Sequence, residues 1–211
     1  MRKITLAMMT TLNCRLDDPD AWMDGLDDEQ YSDILEAFER FDTVVVGRVT
    51  FEEMAAYWPG AETDRSGSAT NRSMAHRMNT YRKYVLSSNR DLDTSIWTNA
   101  ELVPIRGDED VIAFARDVRA RPGKNIHLAG GARLAQTFAR LGLVDEYRLA
   151  VYPIVSPGAC LFDAVPDNRR MALLESRSYD NGVMRHDYAV ADDSRPMQRP
   201  RSFTETARRQ S

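Results

Sequence analysis

The stretch Val44-Val45-Val46-Gly47-Arg48-Val49-Thr50-Phe51-Glu52 decides the fold. Consecutive β-branched apolar residues describe a strand buried on both faces, the habit of parallel sheets covered by helices. Gly47 closes that strand, and helical spacing over residues 51–57 follows at once, with Thr50 as the expected N-cap. A strand tip that opens directly into a helix aims free backbone N–H groups at one spot. A glycine and an arginine beside it suit a phosphate or pyrophosphate.

The pattern recurs twice along the chain. Ile126-His127-Leu128-Ala129 is a second strand, and Gly130-Gly131 opens a helix at Ala132, Arg133 and Leu134. Tyr84-Val85-Leu86 runs into Ser87-Ser88-Asn89-Arg90, where hydroxyls and a guanidinium could hold the 2′-phosphate that separates NADP from NAD. Ser and Asn also simply end strands. Parallel strands finish on one sheet edge, so the glycine corners add up to an extended anion site. The G-x-G-x-x-G fingerprint is missing, and the usual dinucleotide fold is not indicated.

Further strands are expected at residues 4–9, 102–105 and 146–155, and helices where Tyr31, Ile34, Leu35, Phe38 and Phe41, or Val111, Ala115 and Val118, repeat at helical spacing. Strands alternating with helices give an α/β fold with a mostly parallel central sheet. Asp180-Asn181-Gly182 between two β-type runs predicts a C-terminal antiparallel hairpin. Residues 60–71 read as a Gly/Ser/Thr-rich surface loop. Residues 17–39 carry ten carboxylates and no Lys or Arg, which reads as a solvated loop and helix face.

The 211 residues, 43% hydrophobic and 28% charged, fit one domain over residues 1–190. Residues 191–211, with five Arg and one aromatic, read as a disordered tail. A net charge of −4 argues against nucleic acid as a partner. No apolar run is long enough for a membrane span and no signal peptide is evident, so a cytoplasmic protein is expected. Cys14 and Cys160 form no CxxC, and His76, His127 and His186 are dispersed, so no metal site is expected and each histidine reads as structural or surface.

Together VVVGRVTFEEMAAYWP (residues 44–59), MNTYRKYVLSS (78–88), IHLAGGARLAQTFARLGLVDEYRLAVYPIV (126–155) and GACLF (158–162) resemble the dihydrofolate reductase-like superfamily. Within it they resemble the C-terminal reductase domain of the riboflavin-biosynthesis deaminase-reductase, as a stand-alone domain. The resemblance implies NADPH across three strand tips, at Gly47, Arg48 and Thr50, at Ser87, Ser88 and Arg90, and at Gly130, Gly131, Ala132, Arg133 and Leu134. It also implies a cis peptide between the two glycines and hydride transfer to a small pyrimidine-like or pteridine-like heterocycle, the ribosylaminouracil-phosphate reduction of riboflavin synthesis included. A homodimer is expected, joined through residues 146–155.

Departures from the family pattern bear on activity. The first strand runs into Thr11-Leu12-Asn13-Cys14 where relatives carry Ser-Leu-Asp-Gly, which puts Asn13, with Trp58, at the expected substrate position and leaves the catalytic acid unassigned. The neutral Asn13 is also the argument for a competing class, a non-catalytic NADP(H)-binding sensor or scaffold. Asp28 and Asp33 are candidate substitutes for the acid that binds the pterin ring in dihydrofolate reductases.

Overall fold

The computed structural model describes residues 1–191. In chain order these form β1 (Ile4–Thr11), α1 (Asp28–Phe38), β2 (Phe41–Gly47), α2 (Arg48–Ala61), α3 (Ala69–Thr80), β3 (Arg82–Ser87) and β4 (Ala100–Pro104). Then follow α4 (Asp108–Ala120), β5 (Asn125–Gly130), α5 (Ala132–Leu141), β6 (Glu146–Tyr152), β7 (Met171–Ser178) and β8 (Met184–Val190). One sheet orders the strands β4-β3-β2-β5-β1-β6-β8-β7. Every pairing from β4 to β6 is parallel, and β8 runs antiparallel to both of its neighbours.

The period of two along β2 shows why its valines are contiguous. Val45 packs into the core under α4 and α5 with Leu128 and Phe138, whereas Val44 and Val46 pack into the core under α1 to α3 with Phe51 and Met78. A parallel strand covered on both faces has no side on which a polar residue would be wet. The six parallel strands therefore present their C-terminal tips along one edge, where Gly47, Ser87 and Gly130 all end.

Several boundaries differ from the sequence reading. Thr50 is not a cap: Gly47 is the N-cap and α2 begins at Arg48. The helix also continues past Tyr57 and through Pro59 to Ala61. The supposed loop at residues 60–71 ends in α3, capped by Ser68, whose side chain accepts from Asn71 N–H. This helix buries only Met74, Ala75 and Met78, a stripe too narrow to stand out among Ser, Thr and Asn. Strand β6 stops at Tyr152, and it lies between β1 and β8, so it offers no edge to a second subunit. The free edge on that side is β7.

The hairpin is present, with Gly182 at φ +83° after a turn in which its N–H donates to Tyr179 O. Beyond residue 191 the expected tail lies outside the described residues.

Candidate functional site

Helices α2, α4 and α5 share a property that α1 and α3 lack. Their N-caps are Gly47, Gly107 and Gly131, and none receives a side-chain capping bond. Asp27 and Ser68 cap the other two helices. A helix without a cap leaves several backbone donors unpaired and a partial positive charge at its start. All three glycines line one cleft of about 860 Å³. The first turns of α2 and α5 contain no acid, although Glu53 in the second turn of α2 lines the cleft, whereas α4 begins with Asp108, Glu109 and Asp110.

The glycine pair at the β5 tip is built for close approach. The Gly130–Gly131 peptide is cis, as the resemblance implied. Gly130 has φ +88°, a conformation costly for any residue with a Cβ. A Cβ on Gly131 would lie 2.8 Å from Thr50 Oγ1, which itself accepts a hydrogen bond from Gly131 N–H at 3.0 Å. Thr50 thus links the start of α2 to the start of α5.

Of the residues expected at a cofactor, Gly47, Arg48, Thr50, Ser87 and Ser88 line the cleft together with Gly131, Ala132, Arg133 and Leu134. Gly130 sits behind them against Met8, and Arg90 is not among the lining residues. Arg106 and Gly107 at the β4 tip join the lining instead. Arg48 pairs with Glu52 at 2.8 Å and Arg106 with Asp110 at 3.0 Å, both exposed. The acids of this cleft are partly spent: Asp17 and Asp18 pair with Arg15, and Asp108 with Arg140.

A second, apolar pocket of about 280 Å³ lies between α1 and the sheet. Met8, Trp22, Leu26, Ile34, Phe38 and Met54 contribute its walls, and Leu16 and Pro19 line both hollows. The supposedly solvated face of α1 turns inward here. Gln30 and Asp33 are buried at 2% and 8% exposure. Asp33 receives Arg148 Nη2 at 2.5 Å, Arg185 Nη1 at 2.9 Å and the Tyr179 hydroxyl at 2.6 Å. Burial by itself would raise the Asp33 pKa, but the Tyr179 hydroxyl and the two guanidinium groups outweigh it and hold the carboxyl below the usual range. Burial pushes the Tyr179 hydroxyl up, and its bond to Asp33 pushes further in the same direction. His127, buried beside Phe38 and Phe41, is pushed down to about 4 by that burial and is neutral at pH 7.

Asn13 and Trp58 line neither hollow. Asn13 Nδ2 donates to Ser156 O at 3.1 Å, while its Oδ1 accepts from Ser156 N–H at 3.2 Å. An amide can make both bonds and a carboxylate only one, so Asn13 clamps two loops together. Trp58 packs edge-on against Tyr57, and its carbonyl accepts from Asn79 on α3.

The RibD C-terminal domain model matches residues 2–185. The chain is 27% identical over 186 residues to YyaP, an uncharacterised protein of Bacillus subtilis (strain 168), covering 87% of this chain and 92% of that one. Among solved structures, a pyrimidine reductase-like protein from Corynebacterium diphtheriae superposes with a TM-score of 0.62 at 17% identity, covering 91% of this chain and 93% of that one. The diaminohydroxyphosphoribosylaminopyrimidine deaminase/5-amino-6-(5-phosphoribosylamino)uracil reductase of Thermotoga maritima gives 0.61 at 13% identity. It is matched over 90% of this chain and 57% of its own length. At these identities the structures speak to the fold.

Proposed function

This chain belongs to the RibD C-terminal domain family, and from that premise we propose that it is an NADPH-dependent reductase acting on a small nitrogen heterocycle, pyrimidine-like or pteridine-like. One observation carries the reading: three uncapped glycine N-termini meet in a single cleft that adjoins an apolar pocket at Leu16 and Pro19. Bound NADPH would supply the hydride. The backbone N–H groups that follow Gly47 and Gly131 are suited to its pyrophosphate, and Arg48, Ser88 and Arg106 to the 2′-phosphate.

The chain's own groups define how the proton is handled. Asp33 is held ionised, His127 is neutral and Tyr179 is held protonated well above neutrality. No side chain lining the pocket is thus assigned as the proton donor, which leaves a water at the pocket mouth as the source in this reading. The apolar walls exclude bulk water from a ring lying in the pocket.

The competing reading, a sensor or scaffold without turnover, rests on Asn13, and Asn13 holds a loop outside the pocket. The homodimer remains part of the proposal. Its support moves from β6 to the β7 edge, where Leu173 and Leu174 are exposed. Sedimentation at low and high salt tests it, and a monomer under both conditions contradicts it. The reductase reading is tested by mixing the protein with NADPH and a panel of heterocycles and following the loss of reduced-nicotinamide absorbance. Binding without any turnover across the panel would favour the sensor.

A further inference from the structure

We propose that the inner pocket takes a flat, uncharged, carbonyl-bearing compound of one or two rings, free of phosphate and carboxylate, whose carbonyl oxygen is held by Gln30 Nε2 and Arg185 Nε. The proposal rests on the reductase reading for its place beside the cofactor cleft, but its test needs no cofactor.

Three observations converge on it. The first is charge. A phosphate inside this pocket would need a free guanidinium, and those at hand are engaged: Arg148 bonds Asp33 and Asp187, Arg185 bonds Asp33 and pairs with Glu175, and Arg177, beside them but not in the lining, bonds Asp33 and Glu29. Three guanidinium groups face four carboxylates, so a phosphate or carboxylate entering here would have to break a buried pair and leave another charge unpaired.

The second is the set of unused donors. Gln30 and Arg185 line the pocket at 2% and 4% exposure, and Gln30 Nε2 and Arg185 Nε have no hydrogen-bond partner among the described residues. The Gln30 oxygen is already taken, accepting from Asp27 N–H and from Asn181 Nδ2. Arg185 Nε lies 3.8 Å from Asp187 Oδ1, too far for a bond. A buried donor without a partner is costly, and a ligand oxygen bonded to it removes that cost. The third is shape: about 280 Å³ walled by Met8, Trp22, Leu26, Ile34 and Phe38 accommodates one or two rings and little more.

The test titrates the full-length protein, without cofactor, against matched pairs by calorimetry: quinazolin-4-one against quinazoline, which lacks the carbonyl, and uracil against uridine 5′-monophosphate. Wild type should bind quinazolin-4-one at least tenfold more tightly than quinazoline, and uracil more tightly than its ribosyl phosphate. Gln30→Leu should cost at least tenfold for quinazolin-4-one and leave quinazoline unchanged. Gln30→Glu keeps the acceptor that closes the capping box with Asp27 and serves as the second variant should Gln30→Leu fail to fold, with the same loss expected. Tighter binding of the monophosphate, equal binding of quinazoline, absence of binding by both carbonyl compounds, or indifference to both Gln30 variants overturns the proposal. A parallel NADPH titration separates the two readings: its failure alongside Gln30-dependent ring binding removes the reductase reading and leaves this pocket assignment standing.

Discussion

Thr50 Oγ1 accepts the Gly131 N–H at 3.0 Å, so a hydroxyl in the first turn of α2 fixes the residue that caps α5. Both helix starts face the cleft, and this bond sets their spacing. Thr50→Ser keeps the hydroxyl and should retain cofactor affinity. Thr50→Val leaves the Gly131 N–H without its partner, a loss of about 1 to 3 kcal/mol at that site, and should weaken NADPH roughly tenfold or more. Fluorescence titration of the two variants checks this, and equal affinity would count against the coupling of the two helix starts.

Cofactor preference should follow the arginines that reach the cleft. Arg48 and Arg106 line it and Arg90 does not. A charge-assisted contact to the 2′-phosphate contributes about 1.5 to 3 kcal/mol, enough for tenfold or greater selection of NADPH over NADH. Arg48→Ala and Arg106→Ala are expected to erode that ratio, while Arg90→Ala preserves it. A ratio near one in the wild type contradicts the assignment.

Asp33 holds two buried guanidinium groups, so its removal should be severe. Asp33→Asn leaves Arg148 and Arg185, at 10% and 4% side-chain exposure, without their shared counter-charge. Breaking one side of a buried pair costs about 3 to 5 kcal/mol. Urea unfolding measures it, and a loss under about 1 kcal/mol would mean that the cluster is wetter than its geometry indicates. Because the folded-state pKa of Asp33 is lowered, its stabilisation is present above the ordinary carboxylate range and disappears as the pH falls through the lowered value.

His127 gives a pH dependence of its own. Its folded pKa is pushed down to about 4 against an ordinary value of 6.5. Between these values the unfolded chain binds a proton that the folded chain refuses. Stability therefore carries no penalty from His127 above about pH 6.5 and declines as the pH falls toward 4, by about 3 kcal/mol in total. His127→Gln should remove that part of the acid sensitivity. Denaturant melts of both proteins at pH 7 and pH 4.5 test it, and parallel losses would contradict it.

Much of this architecture is legible in the sequence for identifiable reasons. The buried runs at residues 44–46 and 84–86 carry their strand signal in consecutive apolar residues, and a glycine after such a run, as at Gly47 and Gly130-Gly131, marks the strand tip, although only Gly130, at φ +88°, and Gly131, whose Cβ would meet Thr50 Oγ1 at 2.8 Å, exclude a side chain. The same logic at Arg106-Gly107, directly after the β4 run, would have found the third uncapped helix start. Helix α3 escapes because its buried stripe is three residues wide. Gln30 escapes for a different reason, and so does the burial of Asp33, which the family pattern singles out only as a candidate acid. Polar residues at helical spacing on an acidic segment look solvated, and only the placement of Arg148 on β6 opposite Asp187 on β8 shows what neutralises Asp33. Long-range pairing of that kind leaves no local pattern.

The central claim is that NADPH lies across the cleft at the starts of α2 and α5, and calorimetric titration of wild type and Gly131→Ala with NADPH tests it most directly. The added methyl would sit 2.8 Å from Thr50 Oγ1, in the space where the two helix starts meet. The account predicts one NADPH per chain for the wild type, affinity that weakens as salt is raised, and at least a tenfold loss in Gly131→Ala with its circular dichroism spectrum unchanged. A wild-type protein that does not bind NADPH, or a folded Gly131→Ala that binds it equally well, would contradict the claim.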